Sequence, residues 1–404
     1  MVLSSLFPSS VQPGAGLFVR ERMFRVGAQL PLAVVAPQPW FPLQGLLRWF
    51  KPGFRPGAPR FEVQQGHDVW FPRFFSLPGV LKQFDGYFLA LGAWPRLARL
   101  KREGRLDLID AHFGYPDGFA ATLLGRWLGV PVTVTLRGTE TRHARDSALA
   151  PRLRTALQRA HRVFAVSDSL RQVALGLGIP AARLQVVGNG VDLDRFNPLP
   201  RAQARKTLGL PAGVPVLVSV GGLVERKGFH RVIEQLPALR QAFPGLIYLV
   251  VGGANPEGDM GAELRQQVAR LGLQDHVRFL GPLAPDQLRV PLSAADVFVL
   301  ATRNEGWANV FLEAMACGLP VVTTAVGGNA EVVCRPDLGQ VVAFGDAAAL
   351  RLALENALRQ RWDAAAIRQY AAANTWDSRV EELLRQFRSL ARVGQRQAGA
   401  GRPA

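Results

Sequence analysis

Short apolar runs alternate with amphipathic stretches along this chain of 404 residues, and the alternation happens twice. In the first half the runs fall at 2–7, 30–36, 106–113, 130–136, 162–167 and 184–190, with amphipathic stretches near 16–29, 81–103, 115–129, 147–160 and 168–178. A strand that reads as an unbroken apolar run is covered on both faces, and a helix between two such strands returns the chain to the same sheet edge. The pattern therefore predicts a parallel sheet with helices on both sides. After Asn197-Pro198-Leu199-Pro200 it restarts, at 214–221, 246–253, 277–281, 296–301, 320–324 and 340–344. The predicted fold is α/β, with two doubly wound Rossmann-like domains at 1–195 and 196–375 and the Pro-containing segment 192–200 as hinge. Facing each other, such domains form a cleft at the carboxyl ends of their strands, where open α/β sheets bind ligands. WDSRVEELLRQFRSL predicts a helix over 376–390 that packs toward the first domain, and ARVGQRQAGAGRPA (391–404) reads as a disordered tail.

With 48% hydrophobic and 20% charged residues the chain is globular in composition. No apolar run reaches the ~20 residues of a membrane span, and MVLSSLFPSS has no basic n-region, so a cytoplasmic protein is expected. Two cysteines argue against a disulfide framework, and the six dispersed histidines give no pair at metal-ligand spacing. The net charge of +17 is uneven. Residues 1–195 carry 25 Lys and Arg against 13 Asp and Glu, and the rest carries 23 against 18. Either the first half meets something anionic or the excess is compositional, since nearly all the cations are arginine. No DNA- or RNA-binding module accompanies the charge, so no nucleic-acid partner is expected. WFPLQGLLRWFKPGFRPG (40–57) mixes aromatic with basic side chains. That mixture suits an anionic membrane at the inner face, a lid over an acceptor site, or a loop packed on its own domain.

The turns after strands hold the candidate chemistry. Glu305 and Glu313 stand eight positions apart in NEGWANVFLEAMACGLPVV, one in a turn and one in the following helix. At about 1.5 Å of rise per residue, two such carboxylates can sit roughly 12 Å apart, the reach of a diphosphate between its ribose and its sugar. The helix start between them offers free N–H groups to the phosphates. The plain alternative is a turn acid and a solvated helix face. In VSVGGLVERKGFHRVIEQL, Gly221 and Gly222 permit close backbone approach, and Lys227 precedes a helix where it can neutralise a phosphate or stay a surface lysine. The spacing is not that of a P-loop, and no G-x-G-x-x-G follows the first strand. Asp192-x-Asp194 reads as a turn or helix cap.

These residues together resemble glycosyltransferase family 4, the retaining glycosyltransferases with the GT-B fold. The resemblance spans nearly the whole chain: Gly14 and Gly16 in the loop after the first strand, DAHFGYPDG, VSDSLR, VGNGVDLDRFNP, VERKG, the E-x7-E pair, EAMACGLPVV and VGGNAEVV. It implies a nucleotide diphosphate-sugar donor, a glycan or lipid-linked acceptor, and no cofactor or metal. It further implies that Glu313 holds the ribose, that Glu305 contacts the transferred sugar, and that the amides of Gly306, Trp307, Ala308, Asn309, Val310 and Phe311 bind sugar and diphosphate. Lys227 would stabilise the departing diphosphate, and His112 would face the sugar from the first domain. Two positions depart from the family pattern. Gly222 stands where an arginine is usual, with Arg226 and Arg303 as nearby substitutes, and Arg137-Gly138 stands where a histidine usually precedes glycine. Arg137 could bind an acceptor phosphate or carboxylate. The expected activity is sugar transfer to a hydroxyl with retention, in surface polysaccharide or glycolipid assembly. The alternative is a non-catalytic subunit that binds sugar nucleotides.

Overall fold

A computed structural model describes residues 1–50, 54–255 and 257–400, with side chains as far as Ala391. The chain divides into two compact units. One comprises Met1–Asn189 and the segment from Asp377 onward, the other Gly190–Trp376.

The second unit holds a six-stranded, wholly parallel sheet in the spatial order Val277–Gly281, Ile247–Val251, Val216–Val220, Val297–Leu300, Val321–Thr324, Gly339–Val342. Numbered along the chain this is 3-2-1-4-5-6, the order of a dinucleotide-binding domain. Successive side chains of a strand point to opposite faces, and the two cores follow that rule. Val216, Val218, Val220, Leu249 and Phe298 lie in one core, beside the helices Asn309–Ala316 and Ala364–Ala372. Leu217, Tyr248, Val250, Val297 and Val299 lie in the other, beneath the helices Phe229–Ala242, Gly261–Arg270 and Ala347–Arg359. Burial on both sides is why these strands are apolar throughout. The buried Tyr248 hydroxyl donates to Ser219 Oγ at 2.7 Å, and Ser219 in turn donates to the Val299 carbonyl.

The first unit's sheet runs Leu184–Val186, Arg162–Ala165, Val132–Leu136, Ile109–His112, Val2–Leu3, Ala33–Val35, His67–Trp70 and Phe61–Gln64, all parallel except the last. The edge hairpin was not foreseen. Its strand Phe61–Gln64 is half polar and partly exposed, so it carries no apolar run, and its tight turn is Gln65-Gly66 with φ of 48° and 80° rather than the more telling Asn-Gly. A second short pairing, Gln38–Trp40 with Arg73–Phe75, also escaped prediction because only three residues pair on each side.

The terminal helix spans Trp376–Ala400. It is longer than the expected 376–390 and replaces the expected disorder over 391–400, while 401–404 lie outside the described residues. Val380, Leu383, Leu384 and Phe387 are buried with Val2, Phe24 and Phe164 of the first unit, and the Phe387 ring meets Phe164 edge-on at 6.1 Å. The chain leaves the first unit at Gly190, where an added Cβ would lie 2.3 Å from the Trp376 nitrogen. The expected hinge segment begins two residues later. There Asp192 Oδ1 accepts from the backbone N–H of Asp194 and Arg195, both at 3.1 Å, so it caps a turn.

Candidate functional site

In each sheet the strand order reverses beside the first strand, whose neighbour there is the fourth strand of the second unit's sheet and the fifth of the first unit's, and the turns after those strands border a natural ligand crevice. In the second unit these are the turns after Val216–Val220 and Val297–Leu300. The first leads through Gly221 and Gly222 into the short 3-10 turn Glu225–Lys227, closed by Gly228 at φ 77°. Only glycine fits there, because a Cβ would fall 1.9 Å from the Ala301 carbonyl oxygen of the neighbouring turn. A Cβ on Gly222 would meet Asn255 Nδ2 at 2.3 Å, so Asn255 fills the space a side chain at 222 would need.

Lys227 Nζ donates to Glu305 Oε1 at 2.6 Å, and Arg226 Nη1 donates to the same oxygen at 3.0 Å. The remaining edge of Arg226 forks onto Glu257, Nε to Oε2 at 2.9 Å and Nη2 to Oε1 at 2.8 Å. This fork, helped by the charge of Glu305 and opposed by burial, leaves the Arg226 guanidinium above its ordinary range. Arg303 instead pairs with Glu225 Oε2 at 3.0 Å on the exposed side. Glu305 is itself clamped. Gly327, at φ 52°, packs so closely that a Cβ would sit 1.6 Å from the Glu305 carbonyl oxygen.

The helix Asn309–Ala316 starts four residues beyond Glu305. Ala308 at its N-cap is extended and has no side chain able to accept, so the first-turn N–H groups have no side-chain cap. Phe311, Leu312 and Met315 anchor this helix in the core, with Phe311 edge-on to Phe298 at 5.9 Å, and Trp307 packs against the same core. Asn309, Val310 and Glu313 stay partly exposed, as do Gly306 and Trp307. Of the residues named from the sequence, Lys227 and Glu305 are brought into contact here, and Glu313 lies one turn into the helix that follows. Sequence reasoning missed Asn255 and Glu257, although their turn also follows a strand, Ile247–Val251.

In the first unit the corresponding turns follow Val2–Leu3 and Ile109–His112. Gly16, at φ 66°, precedes the helix Leu17–Gly27 with its Cβ direction blocked by the Leu6 carbonyl oxygen at 2.3 Å, whereas nothing lies within 4 Å of a Cβ on Gly14. His112, which the resemblance would turn toward the sugar, is held among internal partners. It is wholly buried, its Nδ1 accepts from Arg137 Nη2 at 2.8 Å, and its Nε2 lies 3.2 Å from Asp110 Oδ2 with poor hydrogen-bond alignment. A guanidinium only donates, so Nδ1 is the acceptor and the ring proton sits on Nε2. Burial, then the charge of Arg137, depress His112 to about 4.

Arg137 differs from expectation too. It is buried, and Nη1 donates to Asn189 Oδ1 at 2.8 Å while Nε and Nη2 face His112, so its donors are committed internally rather than to an acceptor. Arg22 donates to the same Asn189 oxygen at 3.0 Å and to the carbonyls of Val187 and Gly188. Burial holds both guanidiniums below their ordinary range, Arg22 at about 10. Nearby, Glu140 accepts from the N–H groups of Gly114, Arg137 and Gly138, and burial pushes the carboxyl of Asp117 up to about 7.

Two family models match the chain, "Glycosyltransferase Family 4" over residues 48–195 and "Glycosyl transferases group 1" over residues 200–374. TuaC of Bacillus subtilis (strain 168), named for teichuronic acid biosynthesis, is 30% identical over 337 residues, 81% of this chain and 80% of that one. A D-inositol 3-phosphate glycosyltransferase of Actinosynnema mirum is 33% identical over 325 residues, 75% of this chain and 77% of that one. Among solved structures, Anabaena HepE in complex with UDP superposes with a TM-score of 0.71 at 21% identity, covering 96% of this chain and 99% of that one.

Proposed function

Because the chain belongs to glycosyltransferase family 4 and has its GT-B fold of two Rossmann-like domains, we propose that it transfers a sugar from a nucleotide diphosphate-sugar to an acceptor hydroxyl with retained anomeric configuration. The observation that carries this reading is the set of groups at the second unit's switch point: Lys227 on Glu305 at 2.6 Å, followed by a helix start with no side-chain cap. Glu313, one turn into that helix, holds the ribose hydroxyls. The helix amides take the diphosphate, where their partial positive charge favours an anion. Lys227 opposes the charge that develops on the leaving diphosphate, which lowers the barrier more than it tightens ground-state binding.

The acceptor hydroxyl attacks the sugar's anomeric carbon on the face the diphosphate leaves. As the carbon–oxygen bond to phosphate breaks, the departing phosphate oxygen takes the hydroxyl proton, so no protein carboxylate is needed as base. Lys227 and the helix start do the charge work of a divalent ion, and turnover is therefore expected to be insensitive to chelator. His112 supports its strand end through Arg137 and Asp110. The acceptor belongs to surface polysaccharide or glycolipid assembly, a reading supported by the names of the relatives. Those names are of enzymes and lend nothing to a non-catalytic role.

Lys227→Ala separates the proposed roles. Its kcat should fall about 10²- to 10³-fold, the range for losing one preorganised donor to developing charge, with KM for donor little changed. An unchanged kcat would remove Lys227 from the leaving group.

The first unit favours a membrane contact as well. On the helix Gln44–Phe50 and beside it, Leu43, Trp49 and Phe50 are 75%, 80% and 84% exposed. Of the basic residues expected to join them, Lys51 lies outside the described residues. Arg48 turns back to the Phe54 and Arg55 carbonyls and Arg55 to that of Ser76. Cations with no side-chain hydrogen bond or ion pair lie elsewhere, where Arg60, Arg73 and Arg96 line a groove of about 320 Å³. An apolar tip with separate cations fits peripheral attachment to anionic lipid at the inner face of the membrane.

A further inference from the structure

Two cations converge on one oxygen at the candidate donor site, and only one of them has a role so far. Glu305 Oε1 accepts from Lys227 at 2.6 Å and from Arg226 at 3.0 Å, and the Thr302 hydroxyl stands 3.3 Å away. Sharing one carboxylate oxygen leaves each cation with N–H donors to spare for a further anion. The second negative charge, Glu257, holds the far edge of Arg226 by a two-pronged fork, which fixes the guanidinium plane and turns Nη1 toward Glu305. The turn that carries the pair is tied to its neighbour, since the Arg226 carbonyl accepts from the Arg303 N–H at 2.8 Å and the Thr302 hydroxyl at 2.9 Å, and Gly228 leaves no room for a Cβ against the Ala301 carbonyl. Such an arrangement is preorganised for an anion more highly charged than a carboxylate.

We propose that Arg226 binds the donor's diphosphate together with Lys227, and that Glu305 Oε1 is the internal anion that holds both cations in place until the diphosphate displaces it. Displacement frees the Glu305 carboxylate for the sugar. Glu257 is a positioning residue that acts through Arg226. Arg303, paired with Glu225 on the exposed side, takes no part. The inference rests on the donor-site reading above.

The test is calorimetric titration of the full chain with UDP, GDP and ADP and with the matching monophosphates, alongside steady-state kinetics with the sugar nucleotide the wild type turns over. For the diphosphate bound most tightly, Arg226→Gln should weaken affinity at least about tenfold, or 1.4 kcal/mol. The matching monophosphate, lacking the phosphate that faces the cations, should change less than twofold. The kcat should fall about 10²-fold, and Arg226→Lys, which keeps the charge but loses the fork, should fall between. Glu257→Gln should lower kcat without changing monophosphate affinity, a split that loss of structure would not give. Wild-type diphosphate affinity and kcat in Arg226→Gln, or an equal loss for mono- and diphosphate in both Arg226 variants, would overturn the proposal. A wild type that binds none of the three diphosphates would sink the donor-site reading itself and this inference with it.

Discussion

His112 and Asp117 are buried in the same unit and shifted in opposite directions, which ties that unit's stability to pH in two opposing ways. His112 is lowered from 6.5 to about 4. As pH rises from about 4 to 6.5 the unfolded chain loses a proton that the folded imidazole never held, so the folded state gains stability. Asp117 is raised from 3.8 to about 7 by burial, against the pull of Ser5 N and Ser5 Oγ. Between about pH 4 and 7 the unfolded carboxyl ionises first, so the folded state loses stability as pH rises. Asp117→Asn should therefore leave the rising contribution uncompensated, and His112→Gln the falling one. Urea unfolding between pH 4 and 7 measures both slopes, and identical slopes in wild type and variants would mean that neither group titrates as its surroundings require. The burial behind these shifts was not legible in the sequence. DAHFGYPDG reads as a strand end, where Asp110 and His112 share one face, but only the fold brings Arg137 onto the ring.

The turns in which two backbones meet without room for a Cβ fix the geometry of the site. Gly327 is the sharpest case, with a blocked Cβ direction and a left-handed φ of 52°. Gly327→Ala must displace the Glu305 backbone and should cost at least about 2 kcal/mol, the sum of a left-handed penalty of roughly 1–2 kcal/mol and the clash. Gly14→Ala, which meets nothing within 4 Å, should stay within about 0.5 kcal/mol of wild type. Thermal unfolding of both variants checks the contrast, and a wild-type midpoint for Gly327→Ala would contradict it. Elements of this kind divide by how much signal they leave. The buried parallel strands were legible because both faces are apolar, and the Gly-Gly and Lys-Gly turns because glycine marks their ends. The hairpin Phe61–Gln64 with His67–Trp70 was not, since an edge strand half in water has no such pattern. Asn255 and Glu257 lie in a polar turn, and nothing in Asn-Pro-Glu-Gly says which cation it will hold.

At the scale of the whole molecule the two chain halves differ in what they offer. The second unit carries the Lys227–Glu305 pair and a helix start with no side-chain cap, whereas the first carries most of the positive charge and an aromatic tip. No helix among the described residues is long and apolar enough to cross a membrane. Trp49→Ser with Phe50→Ser should cut flotation with vesicles containing phosphatidylserine several-fold and leave the thermal midpoint unchanged, because neither ring is packed. Undiminished flotation would assign the tip another role. The terminal helix shows how far sequence carries at this scale. Its apolar periodicity was legible, but its continuation to Ala400 was not, because Gly394, Gly399 and the surrounding polar residues read locally as a tail.

The most direct measurement is titration of the wild type and of Glu313→Ala with UDP-, GDP- and ADP-sugars, followed by calorimetry. One donor family should bind the wild type and lose at least about a hundredfold in affinity, or 2.7 kcal/mol, in Glu313→Ala. Equal binding in the two proteins, or none in the wild type, would contradict a donor site at the Glu305–Glu313 helix start.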